Sequence, residues 1–148
     1  MKGKREKERI EVRFDAGAKG IRGSWVRNIV ARTLNAEKAQ RRSVSVFLTN
    51  NKAIRKLNKR FLNHDYPTDV ISFRLSPFPF NRDFLGDLVV SVQTAKAVSK
   101  KLRIPFREEL ARYLVHGVLH LLGYEDGTKK DKIKMEGRQE FILRKYFG

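Results

Sequence analysis

A chain of 148 residues, 41% hydrophobic and 33% charged, is long enough to bury a core as one domain and too apolar to be a disordered polypeptide. It has no cysteine, which excludes disulfides, thiolate metal sites and cysteine nucleophiles. Its 33 Lys and Arg against 16 Asp and Glu give a net charge of +17, a field that favours polyanionic partners over basic ones.

Ile10 to Phe14 alternates apolar and polar residues and is predicted as a strand. Trp25 to Ala39 has helical spacing, with Ser24 as its expected N-cap. Val44 to Leu48 is a second predicted strand. Asn50 is predicted to cap a helix running through Phe61, with Ile54, Leu57 and Phe61 facing inward and Arg55, Lys56, Lys59 and Arg60 outward. Val70 to Phe73 is a short strand after the turn NHDYPTD, and the two prolines of SPFPFNRD mark a loop interrupting a strand pair. Leu85 to Val92 is the fourth strand. Thr94 is expected to cap a helix to about Arg103, Pro105 to open the next one, and Gly123 to close it. A last helix covers roughly Lys129 to Tyr146. The strands at 70 and 85 are consecutive, so a regular β-α-β alternation is ruled out. The expected fold is α+β: a single domain spanning residues 1–148, with one mixed four-stranded sheet and about five helices.

The segment Phe106 to Leu122, FREELARYLVHGVLHLL, places His116 and His120 four residues apart on an otherwise apolar, buried helix. Side chains four apart lie on one face about 6 Å from each other, and neutral imidazoles at that spacing can ligate one zinc ion. Hydrogen-bonded core or surface histidines are the alternative. Gly117 lies mid-helix, where it costs about 1 kcal/mol relative to Ala, which suggests that something approaches the backbone closely there. The turn after Gly123 carries Glu125 and Asp126, either of which could bring a carboxylate back over the helix end. Two His, one carboxylate and a position open to water form a catalytic zinc arrangement. In H-E-x-x-H peptidases the residue after the first His is the general base. Here it is Gly117, so a peptidase would lack its base.

HGVLHLLGYED, with LNKRFLNHDYPTDVISF and LGDLVVS upstream, resembles the YbeY family of bacterial ribosomal-RNA maturation endoribonucleases over about residues 44 to 140, extending to Met135 in the last helix. The family pattern runs roughly H-G-x-L-H-L-x-G-Y-D-H, preceded by P-T-D-V-L-S-F and a G-D-I strand. The resemblance implies zinc ligands at His116, His120 and Asp126, a mixed sheet with helices, cleavage of single-stranded RNA, and work in small-subunit rRNA 3′-end maturation and ribosome quality control. The chain departs from the pattern twice. The third ligand is Asp126 where the family has His, which makes another divalent metal more plausible and leaves Glu125 or His64 as substitutes. The family's Arg before the P-T-D-V block is Leu62 here, and Arg60 is the candidate replacement.

The chemistry so implied is metal-assisted phosphodiester hydrolysis, with Arg60 and Glu125 as catalytic candidates. Arg60 and Arg74 would position phosphates, although for Arg74 a solvated strand-end charge is the plainer reading. Asp69 either orients a ligand or caps its turn. Phe78 and Phe80 could stack bases, with loop anchoring the plainer role, and Met135 reads as core. The partner expected from the charge is a nucleic acid, and the resemblance implies RNA, namely rRNA or the small ribosomal subunit. Residues 1–9, expected to be a flexible basic tail, hold five basic and two acidic residues, so residues 10–148 still carry +14. No basic amphipathic helix rich in aromatics points to a membrane, no apolar run is long enough to cross one, and the basic N-terminus MKGKREKERIEV has no apolar stretch behind it. The cytoplasm is therefore the expected compartment. The rival readings are an RNA-binding ribosome-assembly factor with a structural metal and, less favoured, a metallopeptidase.

Overall fold

The computed structural model describes residues 9–15, 18, 20–64, 68–74 and 83–147. All but Arg9 of the expected basic tail, the loop phenylalanines Phe78 and Phe80, and Pro67 lie outside the described residues. The elements follow one another as β1 (Ile10–Phe14), α1 (Gly23–Ala36), β2 (Ser43–Thr49), α2 (Asn51–Leu62), β3 (Val70–Arg74), β4 (Phe84–Ser91), α3 (Val92–Leu102), α4 (Phe106–Leu121) and α5 (Lys129–Phe147). The strands form one four-stranded sheet in the order β1-β2-β4-β3. β1 and β4 both run parallel to β2, while β3 is antiparallel to β4. The expected mixed sheet and five helices are both present, and no helix among the described residues is long and apolar enough to cross a membrane.

Alternation along the strands sorts the core onto two faces. Val44, Val46 and Leu48 of β2 and Leu88 and Val90 of β4 join the main core with Val26, Ile29 and Leu34 of α1, Leu114 and Val118 of α4, and Met135 and Ile142 of α5. Their neighbours Phe47 and Val89 turn to the opposite face, where Ile54 and Leu57 of α2, Ile71 and Phe73 form a smaller cluster. Helix α4 is thus sandwiched between the sheet and α5, which explains why its sequence is apolar nearly all round.

Local chemistry corrects three boundaries. Ser24 lies inside α1, whose N-cap is Arg22 with no side-chain cap, and that helix stops at Ala36 because Lys38 takes a left-handed conformation at φ 57°. Ser91, not Thr94, caps α3: its hydroxyl accepts the Thr94 amide at 3.0 Å. Thr94 instead donates its hydroxyl to Asn51 Oδ1 at 2.7 Å, tying the starts of α3 and α2 together. Phe61, expected inward, is 56% exposed. It sits near the end of α2 over an open cleft that it lines with Phe47, Leu57 and Phe73, and keeps an edge-on contact with Phe73 at 5.6 Å. Asn50 caps α2 as expected, accepting the Ala53 amide at 2.9 Å.

Candidate metal centre

Helix α4 presents one half-buried stripe in an otherwise buried surface: Arg112, His116 and His120, at successive i, i+4 steps. The two imidazole rings lie 6.0 Å apart between centroids, tilted by 53°. Two contacts press this helix close to the sheet. A Cβ on Gly117 would stand 2.7 Å from Leu88 Cδ2 and 3.2 Å from Val70 Cγ2, so the glycine at this mid-helix position lets β3 and β4 approach the backbone. Ser72 of β3 then donates its hydroxyl to the Gly117 carbonyl at 3.2 Å.

The helix ends in a Schellman motif. Gly123, at φ +107°, donates its amide to the His120 carbonyl at 3.1 Å, and the Tyr124 amide reaches the Leu119 carbonyl at 3.0 Å. This turn brings the Tyr124 carbonyl over the last imidazole, where it accepts from His120 Nδ1 at 2.7 Å. His116 Nδ1 is held at 2.9 Å by Gln139 Oε1 of α5. Both acceptors are oxygens without a proton to give, so in its neutral form each ring carries its proton on Nδ1 and keeps the Nε2 lone pair for another partner. This is the usual state of a metal-binding histidine.

Both imidazoles are anchored through α5. Gln139 donates its Nε2 to Glu140 at 3.2 Å, and Glu140 takes a two-pronged grip from Arg112 at 3.1 and 3.2 Å. Arg112 also holds Glu109 at 2.7 Å. Hydrogen bonds that Arg112 donates to Glu140, partly opposed by burial, raise the Arg112 pKa and keep the guanidinium charged. Burial alone would push Glu140 up, but hydrogen bonds from Arg112 and Gln139 and the charges of Arg112 and Arg144 hold it below its ordinary value. Tyr124, on the other branch, donates its hydroxyl to Glu37 at 3.0 Å, and Arg138 clamps the same carboxylate and the Ala36 carbonyl at 2.8 Å. Burial and the Glu37 hydrogen bond raise the Tyr124 pKa, so the phenol stays a neutral donor. Tyr113, buried one residue along from the stripe, is likewise pushed up, first by burial and then by the charge of Glu109.

The remaining candidates are less concentrated. Arg74 donates to the His120 carbonyl at 2.6 Å and pairs with Glu125 at 3.5 Å. It thus ties the turn after α4 to the helix end while remaining an exposed charge at the end of β3. Asp69 accepts the Val70 amide at 2.7 Å and the Thr68 hydroxyl at 3.3 Å, which is turn capping. Arg60 stacks over the Phe61 ring at 5.3 Å, on the helix that covers the opposite face of the sheet. Asp126 is exposed in the turn beyond Tyr124, and His64 is exposed beyond α2. Among the described residues no group of three His, Cys, Asp or Glu converges as a ready metal cage. The donor chemistry therefore fits a borderline ion such as zinc at two positions, with the third ligand not assembled. Met135 is fully buried core.

The profile of the Endoribonuclease YbeY family matches residues 11–147. The chain belongs to the YbeY family. An endoribonuclease YbeY of Sulfurihydrogenibium sp. is 35% identical over 136 residues, covering 91% of this chain and 90% of the relative. That of Persephonella marina is 33% identical over 146 residues, covering 95% of each. Among solved structures, the solution structure of TM1509 from Thermotoga maritima superposes with a TM-score of 0.64 at 26% identity, covering 91% of this chain and 87% of the other. Within this YbeY-family fold, the residues the sequence reading missed are Arg112, Gln139 and the Tyr124 carbonyl. Arg112 carried a signal, since it stands one helical turn before His116. Gln139 carried none, because its role exists only once α5 packs on α4.

Proposed function

We propose that this chain is a zinc-dependent endoribonuclease that cuts single-stranded RNA in the cytoplasm, with His116, His120 and Asp126 as the metal ligands. What supports the reading is the pair of imidazoles on one half-buried face, each with Nδ1 tied to an oxygen and Nε2 left for a ligand. YbeY-family membership supports the choice of RNA, as does the +17 charge. Asp126 follows Glu125, which Arg74 holds at 3.5 Å, in the exposed turn just beyond the helix that carries both histidines. Another divalent ion would suit two imidazoles and a carboxylate as well.

A bound ion would supply Lewis acidity for hydrolysis of the phosphodiester. The chain's own residues supply the rest. His116 and His120 orient donor lone pairs, Arg74 and Glu125 hold the turn in place, and Arg60 with its cationic neighbours on α2 attracts the polyanionic strand. Small-subunit rRNA, at its 3′ end, is the substrate we assign, with a role in ribosome quality control.

The unassembled third donor favours a second reading, an RNA-binding assembly factor with weak chemistry. Metal-dependent cleavage of single-stranded RNA that disappears in His116→Ala, with RNA binding retained, supports the first. Salt-sensitive binding without cleavage supports the second. Elemental analysis of wild type, His116→Ala and Asp126→Ala decides the ligand set: stoichiometric zinc lost in both variants supports it, and zinc retained in Asp126→Ala moves the third ligand to Glu125 or His64.

A further inference from the structure

We infer that Gln139 is a positioning residue for the metal centre, its amide oriented from behind by Glu140 and Arg112 so that His116 is locked as the Nδ1–H tautomer. The inference rests on the metal reading above. An amide can face a histidine in two ways that are nearly identical in shape and opposite in chemistry. With its oxygen toward the ring it demands a proton on Nδ1 and leaves Nε2 to ligate. With its NH2 toward the ring it demands a bare Nδ1, and the proton moves to Nε2, where it blocks a metal.

The structure carries the device that chooses. Gln139 is buried, with 7% of its surface exposed, so solvent does not satisfy a wrongly turned amide. Its Nε2 has a carboxylate to meet, Glu140 Oε2 at 3.2 Å, and turning the amide over would set its oxygen against that negative charge. Glu140 is in turn kept ionised and in place by the Arg112 fork, at 3.1 and 3.2 Å, and Arg112 is braced by Glu109 at 2.7 Å. Each bond in the chain therefore has a fixed direction: the guanidinium and the amide NH2 both donate to the Glu140 carboxylate, and the imidazole N–H donates to the amide oxygen. An amide also neither gains nor loses a proton over the biological pH range, so the group in contact with the ring does not itself titrate, as a carboxylate there would.

The test compares wild type with Gln139→Met, which keeps length and apolar packing but removes the acceptor, and with the swap Gln139→Glu/Glu140→Gln, which restores an acceptor at 139 without changing net charge. Nitrogen-15 NMR of the metal-free full chain at pH about 8, above the ordinary range of a free imidazole, reads the His116 tautomer. Titration calorimetry reads zinc affinity, and thermal melting of the metal-free chain reports folding separately. We expect Nδ1–H His116 in wild type, a shift toward Nε2–H in Gln139→Met with zinc affinity about 10- to 100-fold weaker, and recovery of both in the swap. Wild type that takes up zinc while a folded Gln139→Met binds it equally well overturns this inference alone. A wild type showing the Nδ1–H tautomer but no zinc uptake overturns the metal reading and this inference with it.

Discussion

Replacing Gly117 with alanine is a test in which two known effects oppose each other and the structure decides the sign. In an open helix interior, Gly→Ala stabilises by about 1 kcal/mol through helix propensity. At Gly117 the added Cβ would stand 2.7 Å from Leu88 Cδ2 and 3.2 Å from both Leu88 Cδ1 and Val70 Cγ2. Leu88 is fully buried, so it has little room to turn aside, and overpacking of this kind costs about 1–3 kcal/mol. The net expectation is a loss of up to about 2 kcal/mol. Gly137 supplies the control: it is mid-way along α5, and a Cβ there meets nothing within 4 Å, so Gly137→Ala should gain the full 1 kcal/mol or so. Urea unfolding of the two variants, compared by midpoint at equal slope, measures both. If Gly117→Ala proves as stabilising as Gly137→Ala, the argument that α4 is pressed against the sheet through that glycine is wrong. A lift of α4 off β3 would also stretch the Ser72 bond to the Gly117 carbonyl, so zinc affinity should fall in Gly117→Ala and not in Gly137→Ala.

Three further outcomes follow from the same interactions. Arg112→Leu leaves the Glu109 side chain, only 8% exposed, without its cation, and should destabilise by about 3 kcal/mol, with a large part recovered in Arg112→Leu/Glu109→Gln by chemical denaturation. Glu140 holds its proton less tightly in the fold than its ordinary value of 4.5, so its contribution is complete above that pH and is lost as pH falls below it. Because its side chain is 47% exposed, solvent screening limits the effect to about 0.5 kcal/mol, seen as a flatter acid limb of the stability–pH curve in Glu140→Gln. Binding of single-stranded RNA should weaken with salt at about −0.7 in log–log slope per phosphate contacted, and a flat salt profile in filter binding would count against the role given to the +17 charge.

Much of the architecture was legible in local pattern. The alternation of Val44, Val46 and Leu48, the helical spacing around His116 and His120, and the stop at Gly123 each depend on neighbours within a turn or a pleat, and the structure bears them out. What was illegible depended on choices between near-equals or on distant packing. Ser91 and Thr94 are both capping residues, and only the start of β4's exit fixes which hydroxyl reaches an amide. Phe61 has the right period and does face the sheet, but the cleft beneath it stays open and leaves the ring half exposed. Gln139 stands 23 residues from the ring it holds, at a spacing no periodicity reports.

Neighbouring residues on α5 serve both rings: Gln139 directly for His116, and Arg138 through Glu37 and Tyr124 for His120. Translation delivers these two residues after both histidines, so a nascent polypeptide carries the imidazoles well before it carries what orients them. The acceptor for the His116 ring and the clamp on Glu37 are therefore in place only once α5 has packed on α4.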